Sequence, residues 1–386
     1  MRATQSALIV LAVAVISSCA TPGVVSSLPD SAQITTEMLL DDSPLASGVE
    51  LADLSQVDIL ELSPEMIEFI DRWVDPNAAE YTRLWNLLYA VMGDGTFEVI
   101  YDGSTRSAQD TFRAQRGNCL SFTNMFVAMS RYLDLESSFQ EVMMPPDWSV
   151  SGETLVFNLH INSMVDFDSH SDQMVDFNMY DFRIRFDRQI IPDSRARAHY
   201  FNNMGVEYML AGDTPMALAN FRESIRSDAI FSPSWVNLGI LHTRGGYPNY
   251  AEAAYLKALD IGDTNMVAMS NLAALYEEEG RVELAAQYQS KVQTHRTRNP
   301  YYRYQLARAA FDDGDYDAAI DHLKYAVRRI KNDDNFYFLM SISYLNNGDK
   351  EAAERWMKKA EEAAEIDADK ERYHRKLDML MSDETG

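Results

Sequence analysis

Cys119, His160 and Asp176 are the residues of this sequence whose types and order could do covalent chemistry. A thiol acts as a nucleophile when its pKa is lowered, when a base stands within hydrogen-bond reach, and when a third group orients that base. Cys119 follows the turn-forming string Arg116-Gly117-Asn118 and opens an apolar run through Leu120, Phe122, Met125, Phe126 and Met129. That pattern predicts a helix over about 119–132 with the thiol at its positive end. His160 lies in an alternating segment, and Asp176 lies in another across a turn at 168–172, so neighbouring strands could pair them. An imidazole beside a carboxylate has a fixed tautomer and a stabilised cation, as general-base catalysis requires. Taken singly, a Cys at a helix start is more often a small buried hydrophobe, and a strand His a structural residue. The three together, in this order, carry the argument.

The elements that must position them are legible around these residues. Ser63-Pro64 start a helix through Ile67, Phe69, Ile70 and Trp73 that stops near Pro76, and Leu84, Leu87, Leu88 and Val91 mark a second before Gly93-Asp94-Gly95. Alternation at 139–143, 155–167 and 174–184 reads as strands, giving an α+β layout of helix plus antiparallel sheet. Asp166, Asp168, His170 and Asp172 crowd acidic and imidazole groups into seven residues, but alternate positions on a hairpin turn need not converge. They read as a solvated turn, with no metal expected.

Beyond residue 198 the sequence repeats itself every 34 residues. Gly recurs at 212, 246, 280, 314 and 348, and Ala at 217, 251, 285, 319 and 353. Met204-Gly205, Leu238-Gly239, Leu272-Ala273, Leu306-Ala307 and Met340-Ser341 keep the same phase, as do Tyr208, Tyr276 and Tyr344. These residues resemble the tetratricopeptide repeat family, with units starting at 198, 232, 266, 300 and 334. Gln289 and Ala310 depart from the bulky residues that family prefers. Tyr373, Leu377 and Leu380 then mark one apolar face of a capping helix. The resemblance implies a groove lined by fixed positions of each first helix, including Asn202, Val236, Ser270, Tyr301, Tyr304, Arg308, Phe311 and Phe338. Tyr and Arg make its end near the fourth unit the favoured place for a peptide or protein partner.

Gly-Asn-Cys at a helix start, a strand His about forty residues on and a strand Asp about sixteen further resemble the transglutaminase-like superfamily over roughly 80–190. The resemblance implies Cys119 as nucleophile, His160 as base, Asp176 as orienter and acyl transfer on an amide without a cofactor. Asn118 stands where that family usually has Asp, and Ile161-Asn162 where Ala-Trp is common, which leaves the substrate-side contacts open.

The fold expected is therefore a transglutaminase-like α+β domain over 51–195, then an all-α tetratricopeptide-repeat solenoid over 198–367 and a capping helix and tail over 368–386. With 59 acidic against 34 basic residues, phosphate-backbone binding is an unpromising main task, and no nucleic-acid partner is expected. At the start, Arg2 and the apolar run 7–16 have the shape of a secretory signal too short to span a bilayer. Ile16-Ser17-Ser18-Cys19 resembles the bacterial lipobox, which implies a signal peptide over 1–18 and a lipidated Cys19. With Ala20 rather than Asp next, the resemblance points to the outer membrane, facing the periplasm. Residues 19–50, rich in Ser, Thr, Pro and Asp, read as a flexible tether. Three functions fit: a thiol hydrolase or acyltransferase acting on a polypeptide held by the repeats, a non-catalytic adaptor, and an amidase of cell-wall peptide stems.

Overall fold

The computed structural model describes residues 29–382 apart from 93–96, 98–99, 143–147, 152–153, 158–159, 168–170, 178–187, 263–264 and 365–366. After a short helix α1 (Thr36–Leu40), the first half contains α2 (Pro64–Trp73), α3 (Glu80–Met92), β1 (Ile100–Tyr101), α4 (Ala108–Ala114), β2 (Arg116–Gly117) and α5 (Cys119–Tyr132). Strands β3 (Ser137–Val142), β4 (Trp148–Ser151), β5 (Thr154–Phe157), β6 (His160–Val165), β7 (Gln173–Val175) and β8 (Arg188–Ile191) follow. The main sheet has the order β7-β6-β3-β8 and is antiparallel throughout; β4 pairs with β5, and β1 with β2. The stretch read as one strand over 155–167 is thus two strands in different sheets.

Helix α5 is the centre of this half because it is apolar almost all round, with eleven of its fourteen residues buried. Phe122, Met125, Phe126 and Met129 pack with Met66, Ile70, Leu84 and Leu87 of α2 and α3. Leu120 and Val127 turn instead to Phe139, Ile161 and Ile191 of the sheet. Each such side chain contributes about 1.5–3 kcal/mol on burial, so the helix bearing Cys119 is held from two sides.

Five helix pairs follow: α6 (Asp193–Ala211) with α7 (Thr214–Ser227), α8 (Ser232–Arg244) with α9 (Pro248–Ile261), α10 (Met266–Glu278) with α11 (Val282–Arg298), α12 (Pro300–Asp312) with α13 (Tyr316–Arg329), and α14 (Asp334–Asn346) with α15 (Lys350–Ala363). A last helix, α16 (Asp367–Ser382), covers the end, with Tyr373 fully buried. The repeat phase has a steric cause. A Cβ on Gly205 would stand 2.5 Å from the Phe221 ring, and one on Gly239 2.4 Å from Tyr255, so the small residue admits the large one opposite. Gly212 closes α6 in the left-handed conformation at φ 81°, with its N–H and that of Asp213 capping the last carbonyls.

Helix α6 begins at Asp193, five residues before the first repeat unit, because it serves two bodies. Its Ala196, Tyr200 and Phe201 pack with Phe139 and Ile191 of the sheet, and His199 Nε2 meets Glu141 of β3 at 2.5 Å. The repeats and the sheet share a core.

Residues 29–50 do not behave as the expected tether. Ile34, Leu39 and Leu40 are buried among the first repeats with Leu218, Trp235 and Tyr250. Leu45 lies against Gly245, Asn249 Nδ2 donates to the Pro29 carbonyl at 2.8 Å, and Arg226 pairs with Asp41 at 2.6 Å. Arg222 donates to the Ala52 carbonyl, and Arg197 donates to those of Leu54, Ser55 and Val57. The Ser, Thr and Asp that suggested flexibility are caps: Thr35 and Ser43 accept from the N–H groups of Met38 and Leu45.

The core of the stack is not continuous. The first three pairs share one cluster, while Ala307, Ile320, Leu323, Phe336 and Met340 form another in the last two. Between them α11 buries only Ala285 and Val292, and α12 only Ala307. Gln289, already out of pattern in the sequence, donates to Glu277 instead of filling the gap.

Candidate functional site

Cys119 is half-buried at the first position of α5, and it is the free cysteine among the described residues. Asn118 caps the helix, its Oδ1 accepting from Ser121 N at 3.0 Å while its Nδ2 donates to Thr105 Oγ1 at 2.8 Å. An aspartate could do the first but not the second, which gives a physical reason for Asn at this position. Gly117 is required by space, since a Cβ there would lie 2.5 Å from Ser121 Cβ. Thr105 N in turn donates to Glu207 Oε1 on α6 at 2.7 Å, so the first repeat helix supports the loop that caps the thiol helix.

Thr123 Oγ1 lies 2.8 Å from the Cys119 carbonyl and 3.3 Å from that of Ile161, tying the first turn of α5 to β6 one residue from His160. His160 Nε2 lies 2.6 Å from Asp176 Oδ2, and Asn162 Nδ2 donates to the same oxygen at 3.0 Å. Both partners are 3% exposed. The register explains the meeting: Ser163 stands opposite Val175, so Asp176 falls next to Asn162, and His160 follows on the same side of β6. A carboxylate only accepts, which assigns the shared proton to Nε2 and leaves Nδ1 the basic nitrogen. A buried carboxylate needs such donors to remain ionised.

Tyr101 was not singled out from the sequence. It stands opposite Gly117 in the short parallel ladder; although the residue is 62% exposed, partial desolvation of its phenol, with the nearby Cys119 and Asp102, raises its pKa. Asn162 was also missed, although its position two residues after His160 on a strand carried the signal.

The residues nominated for a repeat groove are distributed differently. Asn202 is buried and accepts from Asn237 Nδ2 at 2.9 Å. Val236 is also buried, and Ser270 is half-buried in a cleft beside α11. Tyr301 and Tyr304 pack on Phe336 at 5.4 and 5.1 Å, Phe311 on Tyr316 at 5.4 Å, and Phe338 on Tyr373 of α16 at 5.2 Å. These rings are half-buried between successive helices because each repeat must cover the apolar face of the last, and Arg308 remains exposed. Cys19 and the signal segment lie outside the described residues, as do Asp168 and His170 of the acidic turn. Among the described residues there is no group of three or more metal-binding side chains and no helix long and apolar enough to cross a membrane.

Comparison with known proteins bears on the repeats. Residues 310–377 match the family described as Tetratricopeptide repeat, and the C-terminal part of the chain is a tetratricopeptide repeat region. The photosystem I assembly protein Ycf3 of Prochlorococcus marinus, strains MIT 9303 and MIT 9313, is 29% identical over 104 residues. The match covers 26% of this chain and 60% of each relative. Among solved structures, PilF of Pseudomonas aeruginosa is 16% identical, with 50% of this chain and 88% of that one covered at a TM-score of 0.27. YrrB, described as a TPR protein with an unusual peptide-binding site, is 17% identical, with 43% and 86% covered at a TM-score of 0.24.

Proposed function

We propose that this chain is a scaffold that holds a polypeptide partner on its repeat stack. The observation that carries the reading is the mounting of the helix pairs: α6 shares the core of the sheet, so the repeats present their surface in a fixed orientation. Preorganisation of this kind lowers the ordering cost of binding. The test is selection of binding peptides on the purified protein, followed by titration against Ser270→Trp and Cys119→Ser. Peptides that lose affinity with the first variant and keep it with the second support the scaffold; equal binding to both and to the parent refutes it.

A second reading, thiol-dependent acyl transfer in a transglutaminase-like domain, is favoured by the buried 2.6 Å pair of His160 and Asp176 beside the start of α5. In it, His160 Nδ1 takes the Cys119 proton and the thiolate sulfur bonds to an amide carbonyl carbon. The imidazolium then protonates the amine as the C–N bond breaks, leaving a thioester. Water or an amine attacks the thioester with His160 again as base, and the thiol is released. Asp176 holds the imidazole and stabilises its charged form. The Cys119 N–H at the helix start is the candidate donor to the oxyanion. Lipidation of Cys19 would hold the enzyme at the outer membrane, ten residues before Pro29, where residues 29–50 dock as a strap across the first repeats. Iodoacetamide labelling across pH decides the matter: rapid labelling at mildly acidic pH that His160→Ala abolishes supports the pair, and slow labelling indifferent to that change refutes it.

A further inference from the structure

Against its acidic background the chain has no Asp or Glu from Leu284 to Phe311, whereas Lys291, Arg296, Arg298, Arg303 and Arg308 all lie there. This run is most of α11 and α12, the two helices at the interrupted core. Among the described residues none of the five basic groups forms an ion pair. Arg303 donates instead to the Thr297 carbonyl and His322 Nδ1, and stacks with Arg329 about one ring, Tyr325, at 4.9 and 5.2 Å. Like charges gathered without counter-charges repel one another, so the belt is stabilised when an anion arrives.

Beside the belt, α10 and α11 enclose a cleft of about 400 Å³. Ala273, Ala274 and Val292 line it together with Gln293 and Arg296. Ser270 Oγ, on its lining, is buried without a hydrogen-bond partner among the described residues. Glu277, the acidic group of the cleft, is engaged by Gln289 at 3.2 Å. The Arg296 guanidinium, the Ser270 hydroxyl and the Gln293 amide beside apolar side chains suit carboxylates carried on a chain with small apolar residues between them.

We propose that the α11–α12 belt and its cleft bind an acidic polypeptide segment of a partner protein. The proposal deepens the scaffold reading and rests on it.

The test is fluorescence anisotropy of the purified protein with a labelled peptide of alternating Glu and Ala, beside the same peptide with Gln for Glu. The Glu peptide should bind, weaken steeply with added salt, and exceed the Gln peptide by about tenfold or more. Arg296→Glu combined with Arg308→Glu should weaken it by a further factor of about ten, while Arg72→Glu on α2 should leave it unchanged. Equal binding of both peptides that Ser270→Trp abolishes overturns the charge assignment and leaves the scaffold reading standing. Binding of neither peptide, or indifference to the double reversal, overturns the proposal. A self-associated species that the double reversal dissociates in sedimentation, without any peptide, also overturns it by making a second copy the occupant.

Discussion

Glu207 on the first repeat helix accepts the N–H of Thr105 at 2.7 Å, and Thr105 in turn receives the Asn118 amide that caps the helix of Cys119. Two hydrogen bonds therefore join the repeat stack to the thiol. Glu207→Ala frees the loop without touching His160 or Asp176. Its expected effect is a several-fold slower alkylation of Cys119 with an unchanged pH profile. A shifted pH profile would argue that Glu207 acts on the imidazole instead.

Asp176 and His160 form a buried pair that neither can leave cheaply. Asp176→Ala should cost about 3 kcal/mol of stability and slow thiol alkylation; Asp176→Asn, which keeps the shape, should cost less stability but still slow alkylation. Denaturant titration and iodoacetamide kinetics on the same samples separate the two effects.

Acid should loosen the joint between the sheet and the repeats. Burial pushes the His199 imidazole down against the pull of Glu141, and burial works against the Glu141 carboxylate, whose His199 partner nonetheless holds its pKa below the usual range. Burial pushes His242 down to about 3, with neither ring nitrogen bonded among the described residues. The unfolded chain protonates these histidines below about 6.5 while the folded chain does not, so their contribution is lost as pH falls from there toward the folded values. Loss from Glu141 adds as pH drops below about 4.5. The midpoint of thermal unfolding should fall steadily from pH 7 to pH 4. His242→Phe, which removes two unpaired nitrogens, should flatten that fall and add about 1–3 kcal/mol at pH 5. An unchanged slope in this variant would rule out His242 as a source.

Gly205→Ala should cost about 1–3 kcal/mol through the clash with Phe221, and Phe221→Leu in the same chain should recover part of it. Additive losses in urea denaturation would mean that the two residues do not meet.

Leu39→Ala should cost about 2–5 kcal/mol, as in a core, and residues 29–50 should resist limited proteolysis. Cleavage in that stretch ahead of any other described segment would return it to the role of a tether.

The repeats were legible because one steric demand recurs: a small residue at Gly205 and Gly239 faces a large one at Phe221 and Tyr255, and the phase shows in the sequence. The His160–Asp176 pairing was legible because strand alternation and one short turn fix it within sixteen residues. The strap was not. Ile34, Leu39 and Leu40 are too sparse to make a period, and their partners lie some two hundred residues away, where local patterning carries no signal. Helix α6 starts ahead of the first repeat unit for a related reason: its first turns answer to the sheet rather than to the repeat. The packing of the aromatic rings was not legible, because position in a repeat does not say which ring a neighbouring helix will cover, as Phe338 and Tyr373 illustrate.

The bond between Asn249 and Pro29 spans 220 residues of chain. During synthesis the strap, residues 29–50, is made well before the helices that seat it. At roughly 5–20 residues per second, its leucines wait about 10–40 s for the second repeat to emerge. For that interval Leu39 and Leu40 are open to any apolar surface nearby.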